Sequence, residues 1–417
     1  MPDVTTRQGR ALGTQDKIVK LGLITFNKAE VIGYGEEGKV YKGKFGEFTN
    51  AAIKDYVFTN SSTIARLKER AVKANESLRN VTCANIVGFF SFYEKPNAFY
   101  LCMELCDCNL EYFIRHWPQE IPKNGFEQTL NGLNVLHENQ FLHRDLKPSN
   151  VLVKRERTRI LLKVSDFSLS KEADAKMSVT SGPYVGTVGW MPPEIHHEVE
   201  AKSPNIVVNA SADIFACGML GYYVVSAGNM LYHSQQDINQ DNADYRYLHN
   251  HTAEDLVRAM TCRDERKRPN AKMCLQHPYH WDSCKTIRYF KDVSDTIIGE
   301  QRNNNTNMAN ALDQNFHQVF QLEWETTLTL QVQIELFTAP RTRTRPRYNK
   351  FKVSSLIRAI RNTKDHFHEM VHLHQELGND EIELLAYWTK LFPQLFIHAY
   401  TTLKPMANLY RNLQQYY

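Results

Sequence analysis

The chain has 417 residues, 42% hydrophobic and 23% charged, the make-up of a soluble globular protein with room for two or three buried cores. A formal net charge of +4 excludes a uniformly basic nucleic-acid binder, so any affinity for polyanions has to come from local patches. Eight cysteines in so long a chain exclude a disulfide scaffold.

The polar opening, "MPDVTTRQGRALGTQDK", has no secretory or transit pattern, and residues 1–22 read as a tail. From about residue 23 to 104 apolar and polar residues alternate between glycine-rich breaks, as in "VIGYGEEGKVYKGKF" and "NAAIKDYVF", which predicts a small antiparallel sheet. A helical segment, "TIARLKERAVKANESL", interrupts it. Gly33, Gly35, Gly38 and Val40 form a G-x-G-x-x-G-x-V loop between two strand-like runs. Without Cβ atoms its backbone amides can approach phosphate oxygens. Lys54 in "AAIK" places a cation on the next strand. Cys102, Cys106 and Cys108 of "LCMELCDC" have no zinc-type partner pair nearby; they read as reduced thiols, and a cytoplasmic location follows.

From about 105 to 281 the pattern turns helical, with short strand-like runs. "FLHRDLKPSNVLV" sets Asp145 to accept a hydroxyl proton, Lys147 to neutralise a transferring phosphoryl group and Asn150 to hold a metal. Asp166 of "SDFSLSK" is the second metal carboxylate, and these hard oxygen ligands suit Mg2+ bridging the phosphates of ATP or ADP. Glu194 of "PPE" should pair with Arg268, and Asp213 should brace the loop around Asp145. Asp213 opens "DIFACGMLGYYVVSAG", the longest apolar run, which is too short to span a bilayer.

In this order these motifs resemble a eukaryotic protein kinase over residues 23–281. The resemblance implies two lobes with nucleotide between them, Ala52 and Leu152 at the nucleotide site, Met103 as gatekeeper and a hinge from Glu104 to Cys106. Arg144 before Asp145 implies control by phosphorylation of the loop holding Ser178, Thr180 and Ser181; the alternative is an unmodified polar loop. Two departures stand out. Ser168 replaces the usual glycine after Asp166–Phe167. Where such kinases carry the helix glutamate that pairs with Lys54 stand Lys73 and Ala74, with Glu69 and Glu76 a turn or more away.

The asparagine-rich "QRNNNTNMANALDQN" (301–315) reads as a mobile connection. Beyond it, "APRTRTRPRYNKFK" sets Arg341, Arg343, Arg345, Arg347, Lys350 and Lys352 around Tyr348, a pattern suited to a phosphodiester backbone and a stacked base. Charge runs are more often solvated tails. In the next segment, "LIRAIRNTKDHFHEM", a helical wheel puts Leu356, Ala359, Ile360, Phe367 and Met370 on one face and Arg358, Arg361, Asn362, Asp365 and His366 on the other. A histidine exposed on such a helix usually does nothing. RNA, however, carries its own nucleophile in the 2′-OH; cleaving it needs a base, an acid and a cation for the charged phosphorane. His366 and Tyr348 can share the proton transfers, with Arg361 holding the phosphate and Asn362 orienting it.

"YFKDVSDTI" (289–297), Tyr348, "LIRAIRN" and His366 together resemble the kinase-extension nuclease of the inositol-requiring stress-sensor kinases and of ribonuclease L. That resemblance implies an α+β chain: a two-lobed kinase fold, then an all-α nuclease domain over 282–417. It implies Tyr348, Arg361, Asn362 and His366 as catalytic residues, RNA as substrate cut without metal to 2′,3′-cyclic phosphate and 5′-OH ends, and activation as a homodimer or higher oligomer. It also implies unfolded-protein-response or RNA-decay signalling, from the cytosolic part of an endoplasmic reticulum sensor. Two rivals stay open. "HEMVH" (368–372) matches the H-E-x-x-H zinc-protease pattern but has no third ligand. The chain could also be a Ser/Thr kinase, or a nucleotide-binding pseudokinase scaffold, whose helical extension only dimerises.

Overall fold

A computed structural model of the chain describes residues 18–35, 38–57, 83–95, 98–181, 186–338 and 348–417. The chain divides into two compact units, Met1–Ala243 with Arg263–Ala271, and Asp244–Cys262 with Lys272–Tyr417.

The first unit opens with a six-stranded antiparallel sheet, β1 (Ile18–Leu21), β2 (Ile24–Gly35), β3 (Gly38–Phe45), β4 (Thr49–Val57), β5 (Phe89–Lys95) and β6 (Ala98–Glu104), in the order β1-β2-β3-β4-β6-β5. Period-two alternation gives it two apolar faces. Phe26, Tyr41, Ile53 and Tyr100 pack on one, Tyr56, Phe99 and Leu101 on the other. Register sets Val40 opposite Lys54, and Ala52 opposite Met103. At Gly38 a Cβ would lie 1.6 Å from the Asp55 carbonyl oxygen, so strand packing alone demands glycine there.

The rest of this unit wraps helices α1 (Gly125–Glu138) and α2 (Ala210–Val225) around the hairpin β7 (Val151–Arg155) and β8 (Ile160–Val164). Asn209 caps α2 by accepting from the Ser211 backbone N–H at 2.9 Å. Ile214, Phe215, Cys217, Met219, Leu220 and Tyr222 are all buried, which explains a helix apolar nearly all round. Among the described residues no helix is long and apolar enough to cross a membrane. Ser178–Ser181, in the loop read as a candidate for phosphorylation, pairs antiparallel with Ile206–Asn209. None of the eight cysteines, all among the described residues, is joined in a disulfide.

The second unit is helical. Its main elements are α3 (Ser283–Arg302), α4 (Asn307–Gln314), α5 (Val353–Asp365), α6 (Glu381–Leu391) and α7 (Leu395–Leu403). Asp282 caps α3 by accepting from the Lys285 N–H at 2.6 Å. Val353, Leu356, Ile357 and Ile360 of α5 recur at helical spacing and are fully buried in the core shared with α3. Each such side chain contributes about 1.5–3 kcal/mol by burial.

Two expectations fail here. The asparagine-rich stretch is not a mobile connection, because α3 continues to Arg302 and α4 begins at Asn307, burying Met308, Ala309 and Leu312. The asparagines occupy the exposed side and hide a short apolar face. Nor does α5 reach Met370. It ends at Asp365, where His366 turns out of the helix with its N–H on the Asn362 carbonyl at 3.1 Å, and Phe367–Glu369 form a 3-10 turn. The ridge therefore uses Ile357, while Phe367 stacks on His374, centroids 4.7 Å apart. The predicted helix "TIARLKERAVKANESL", with Glu69, Lys73, Ala74 and Glu76, lies outside the described residues.

Candidate functional site

Two clusters of chemistry-bearing side chains stand in the chain, one in each unit. In the first, Lys54 on β4 reaches both oxygens of Asp166 at 3.0 Å. Burial on its own would lower the Lys54 pKa; Tyr56, whose ring centroid is 4.9 Å away, and the Asp166 carboxylate outweigh that and raise it. Asp166 sits in left-handed backbone at φ 61°, and Phe167 beside it is buried edge-on to His143. Next to Lys54 on β4, Asp55 accepts from the Lys39 N–H at 2.7 Å and the Tyr41 hydroxyl at 3.1 Å, tying down β3, the neighbouring strand that carries Gly38 and Val40.

Asp145 is held from three sides. Asn150 donates to its carbonyl at 2.8 Å and its carboxylate at 2.9 Å, Lys147 lies 3.0 Å away, and the Thr187 hydroxyl donates at 2.6 Å. Lys147 also reaches the Thr187 hydroxyl, at 2.5 Å. Beneath the loop, buried Asp213 accepts from the backbone N–H of His143 at 2.8 Å and Arg144 at 2.7 Å. Burial pushes the Asp213 carboxyl up, but His137 at 3.0 Å and these donors hold it below its usual value. Glu194 and Arg268 form a fork-to-fork pair at 2.6 and 2.9 Å.

At the expected hinge, Glu104 joins Lys154 at 2.7 Å, Lys163 at 3.1 Å and the Gly88 N–H at 3.1 Å. Burial opposes its charge, and those donors still lower its pKa. Burial pushes the Cys106 thiol up to about 12, which leaves it inert as a nucleophile. Ala52 is buried opposite Met103, and Leu152 lies on β7 opposite Lys163. Both amide hydrogens of Asn150 point at Asp145, which leaves its oxygen, like the carboxylate oxygens of Asp166, a hard donor of the kind Mg2+ takes. On the Ser178–Ser181 strand the Ser178 hydroxyl already rests on Asp174 at 3.0 Å, while Thr180 is exposed, its carbonyl 3.4 Å from the Lys171 amine.

In the second unit, Asn362 on α5 donates to the Tyr348 hydroxyl at 2.8 Å and accepts from Arg361 at 3.0 Å. Arg361 is gripped by Asp295 of α3, with Nε at 3.0 Å and Nη2 at 2.9 Å from the same oxygen, and Asp365 lies 3.3 Å from Nε. Lys291 of α3 completes the set, 3.0 Å from Asp365. Tyr348 is seated edge-on against Trp324 and Phe337, at 6.1 and 5.9 Å. Fully buried Trp324 anchors the chain beyond it through bonds to the Asn349 and Lys350 carbonyls at 3.0 and 3.1 Å. His366 follows Asn362 by one turn; its ring is 55% exposed, with Nδ1 3.3 Å from Glu369. Tyr348, Arg361 and Asn362 thus form one connected chain of contacts, and His366 stands beside them open to solvent.

Of the predicted cationic run, Lys350 is tied between Glu323 and Glu325 and Lys352 lies 3.5 Å from Asp313; Arg341, Arg343, Arg345 and Arg347 fall outside the described residues. The H-E-x-x-H reading loses its helix. His368 and His372 sit on separate 3-10 turns, and His372 faces Glu335 at 3.5 Å. Among the described residues no three metal-binding side chains gather.

Sequence reasoning missed Thr187, whose only signal is a hydroxyl residue shortly before "WMPPE". It also missed Lys291 and Asp295, visible as an i, i+4 pair within "YFKDVSDTI".

Sheet, loop and carboxylates define the class, and comparison with known families agrees. The family model of the protein kinase domain matches residues 26–280, and that of Ribonuclease 2-5A matches residues 286–417. The chain belongs to the protein kinase family, in the form that carries a ribonuclease 2-5A-type domain behind the kinase domain. The serine/threonine-protein kinase/endoribonuclease IRE2 of Homo sapiens is 29% identical over 415 residues, covering 94% of this chain and 42% of that protein. The serine/threonine-protein kinase/endoribonuclease ire-1 of Caenorhabditis elegans is 28% identical, covering 90% and 39%. The sensor for unfolded proteins in the ER ire1 of Schizosaccharomyces pombe is 27% identical, covering 92% and 38%. The chain therefore spans about two-fifths of the length of these curated relatives.

Proposed function

We propose that this chain is an endoribonuclease controlled by a nucleotide-binding kinase domain, cutting RNA without metal to 2′,3′-cyclic phosphate and 5′-OH ends. Residues 23–281 form the controlling kinase part and 282–417 the nuclease. The connected Tyr348, Asn362 and Arg361 side chains, with His366 on the next turn, carry the reading. The 2′-oxygen attacks the phosphorus as its proton leaves to a base, and the 5′-oxygen departs as it gains a proton. Tyr348 and His366 divide these two transfers. Arg361 offsets the charge gathering on the phosphorane, and Asn362 fixes Arg361 and Tyr348 in register.

In the kinase part, Gly33, Gly35, Gly38, Val40, Ala52, Lys54, Met103, Glu104, Cys106 and Leu152 bind ATP or ADP. Asn150 and Asp166 would hold Mg2+, whose charge would screen the nucleotide phosphates. Asp145 and Lys147 serve phosphoryl transfer to a hydroxyl, and Ser178, Thr180 and Ser181 are the acceptors. Nucleotide favours the conformation that forms a homodimer or higher oligomer, and assembly switches on RNA cleavage. The proposed role is unfolded-protein-response or RNA-decay signalling on the cytoplasmic side of the endoplasmic reticulum; the name of the Schizosaccharomyces pombe relative, a sensor for unfolded proteins in the ER, supports the first part of it.

The test is cleavage of a stem-loop RNA with end-group analysis, with and without ADP and chelator. ADP should raise both association and cutting, chelator should spare the cutting itself, and Asp145→Asn should spare it too.

A further inference from the structure

We propose that Asp295 is a positioning residue that aims the Arg361 guanidinium at the scissile phosphate, and that Lys291 keeps Asp365 from neutralising it. This rests on the nuclease reading above. A guanidinium offers five N–H groups in one plane. Asp295 accepts from Nε at 3.0 Å and lies 2.9 Å from Nη2 as an ion pair, and the Asn362 oxygen accepts from Nη1 at 3.0 Å. At least one N–H is left on each terminal nitrogen, a pair able to fork onto two phosphate oxygens. The Arg361 side chain is 27% exposed.

The second carboxylate would undo this arrangement if it stood alone. Asp365 lies 3.3 Å from the Arg361 Nε, where a full negative charge would cancel much of the field a phosphate feels. Lys291 reaches that carboxylate at 3.0 Å and offsets it. The geometry is alternating: Lys291 and Asp295 stand one turn apart on α3, Arg361 and Asp365 one turn apart on α5, and each anion faces a cation of the opposite helix. A plain interhelical brace is the competing account, yet partly exposed ion pairs add little stability, which is a weak reason to assemble four charges here.

The full chain, a stem-loop RNA and a copy of that RNA with a 2′-deoxy group at the cut position decide between them. Asp295→Asn should lower the single-turnover cleavage rate by on the order of a hundredfold while leaving affinity for the deoxy copy unchanged, and Asp295→Glu should recover part of the rate. Lys291→Ala should lower the rate about tenfold. Asp365→Asn alone should cleave like the unaltered chain, and added to Lys291→Ala it should restore the rate. A brace predicts the reverse, with the double variant no better than Lys291→Ala and unfolding temperature falling in step with rate. That pattern, or Asp295→Asn cleaving at full rate, overturns the proposal. Absence of cleavage by the unaltered chain instead rejects the nuclease reading, and this proposal with it.

Discussion

Asn362 donates its side-chain amide to the Tyr348 hydroxyl at 2.8 Å while its carbonyl accepts from Arg361 at 3.0 Å, so one residue holds both proposed reacting groups. Asn362→Asp keeps the shape and removes the donor. The new carboxylate faces the phenol and draws the guanidinium toward itself. Cleavage should fall by on the order of a hundredfold, with stability changed by only about 1 kcal/mol. Rates and denaturant midpoints of the two proteins check it.

Trp324 is the pillar behind Tyr348. Trp324→Phe keeps most of the buried area but removes the N–H that satisfies the Asn349 carbonyl. Stability should drop by about 1–2 kcal/mol, whereas Trp324→Ala should cost about 3–5 kcal/mol. Cleavage by the Phe variant should slow because Tyr348 loses its seat, and ATP affinity should not move. Urea unfolding and nucleotide titration separate the two effects.

Lys54, 8% exposed on its side chain, has Asp166 as its anchor. Asp166→Asn leaves the cation with a poorer partner. A fully buried pair broken this way loses about 3–5 kcal/mol; with Asp166 one-third exposed, solvent screening reduces the expectation to about 1–2 kcal/mol. Mg2+-dependent ATP binding should be lost as well. A thermal-shift series with ATP, with and without Mg2+, reads both.

Burial, aided by the nearby His277, pushes the His280 imidazole down from 6.5 to about 4. The unfolded chain therefore binds the extra proton first as pH falls. Stability from keeping His280 neutral is complete above pH 6.5 and erodes between 6.5 and about 4. Between pH 7 and 5 this removes roughly 1–2 kcal/mol. His280→Gln should flatten that slope in urea unfolding of the full chain at the two pH values.

Much of this was legible in the sequence because its chemistry is local. "HRDLKPSN" keeps Asp145, Lys147 and Asn150 within one short loop, and "RN" makes Arg361 and Asn362 neighbours. What escaped was set by partners far along the chain. Asp295 meets Arg361 only because α3 and α5 pack face to face, and Thr187 meets Asp145 only across the fold. The early end of α5 also escaped, since no glycine or proline marks it. The asparagine-rich stretch misled because composition outvoted the spacing of Met308, Ala309 and Leu312.

The most direct measurement is His366→Ala in the full chain, assayed on a stem-loop RNA with nucleotide and Mg2+ present. The unaltered protein should leave 2′,3′-cyclic phosphate ends, and the variant should leave the RNA intact while binding ATP as before. Cutting that survives His366→Ala contradicts the account.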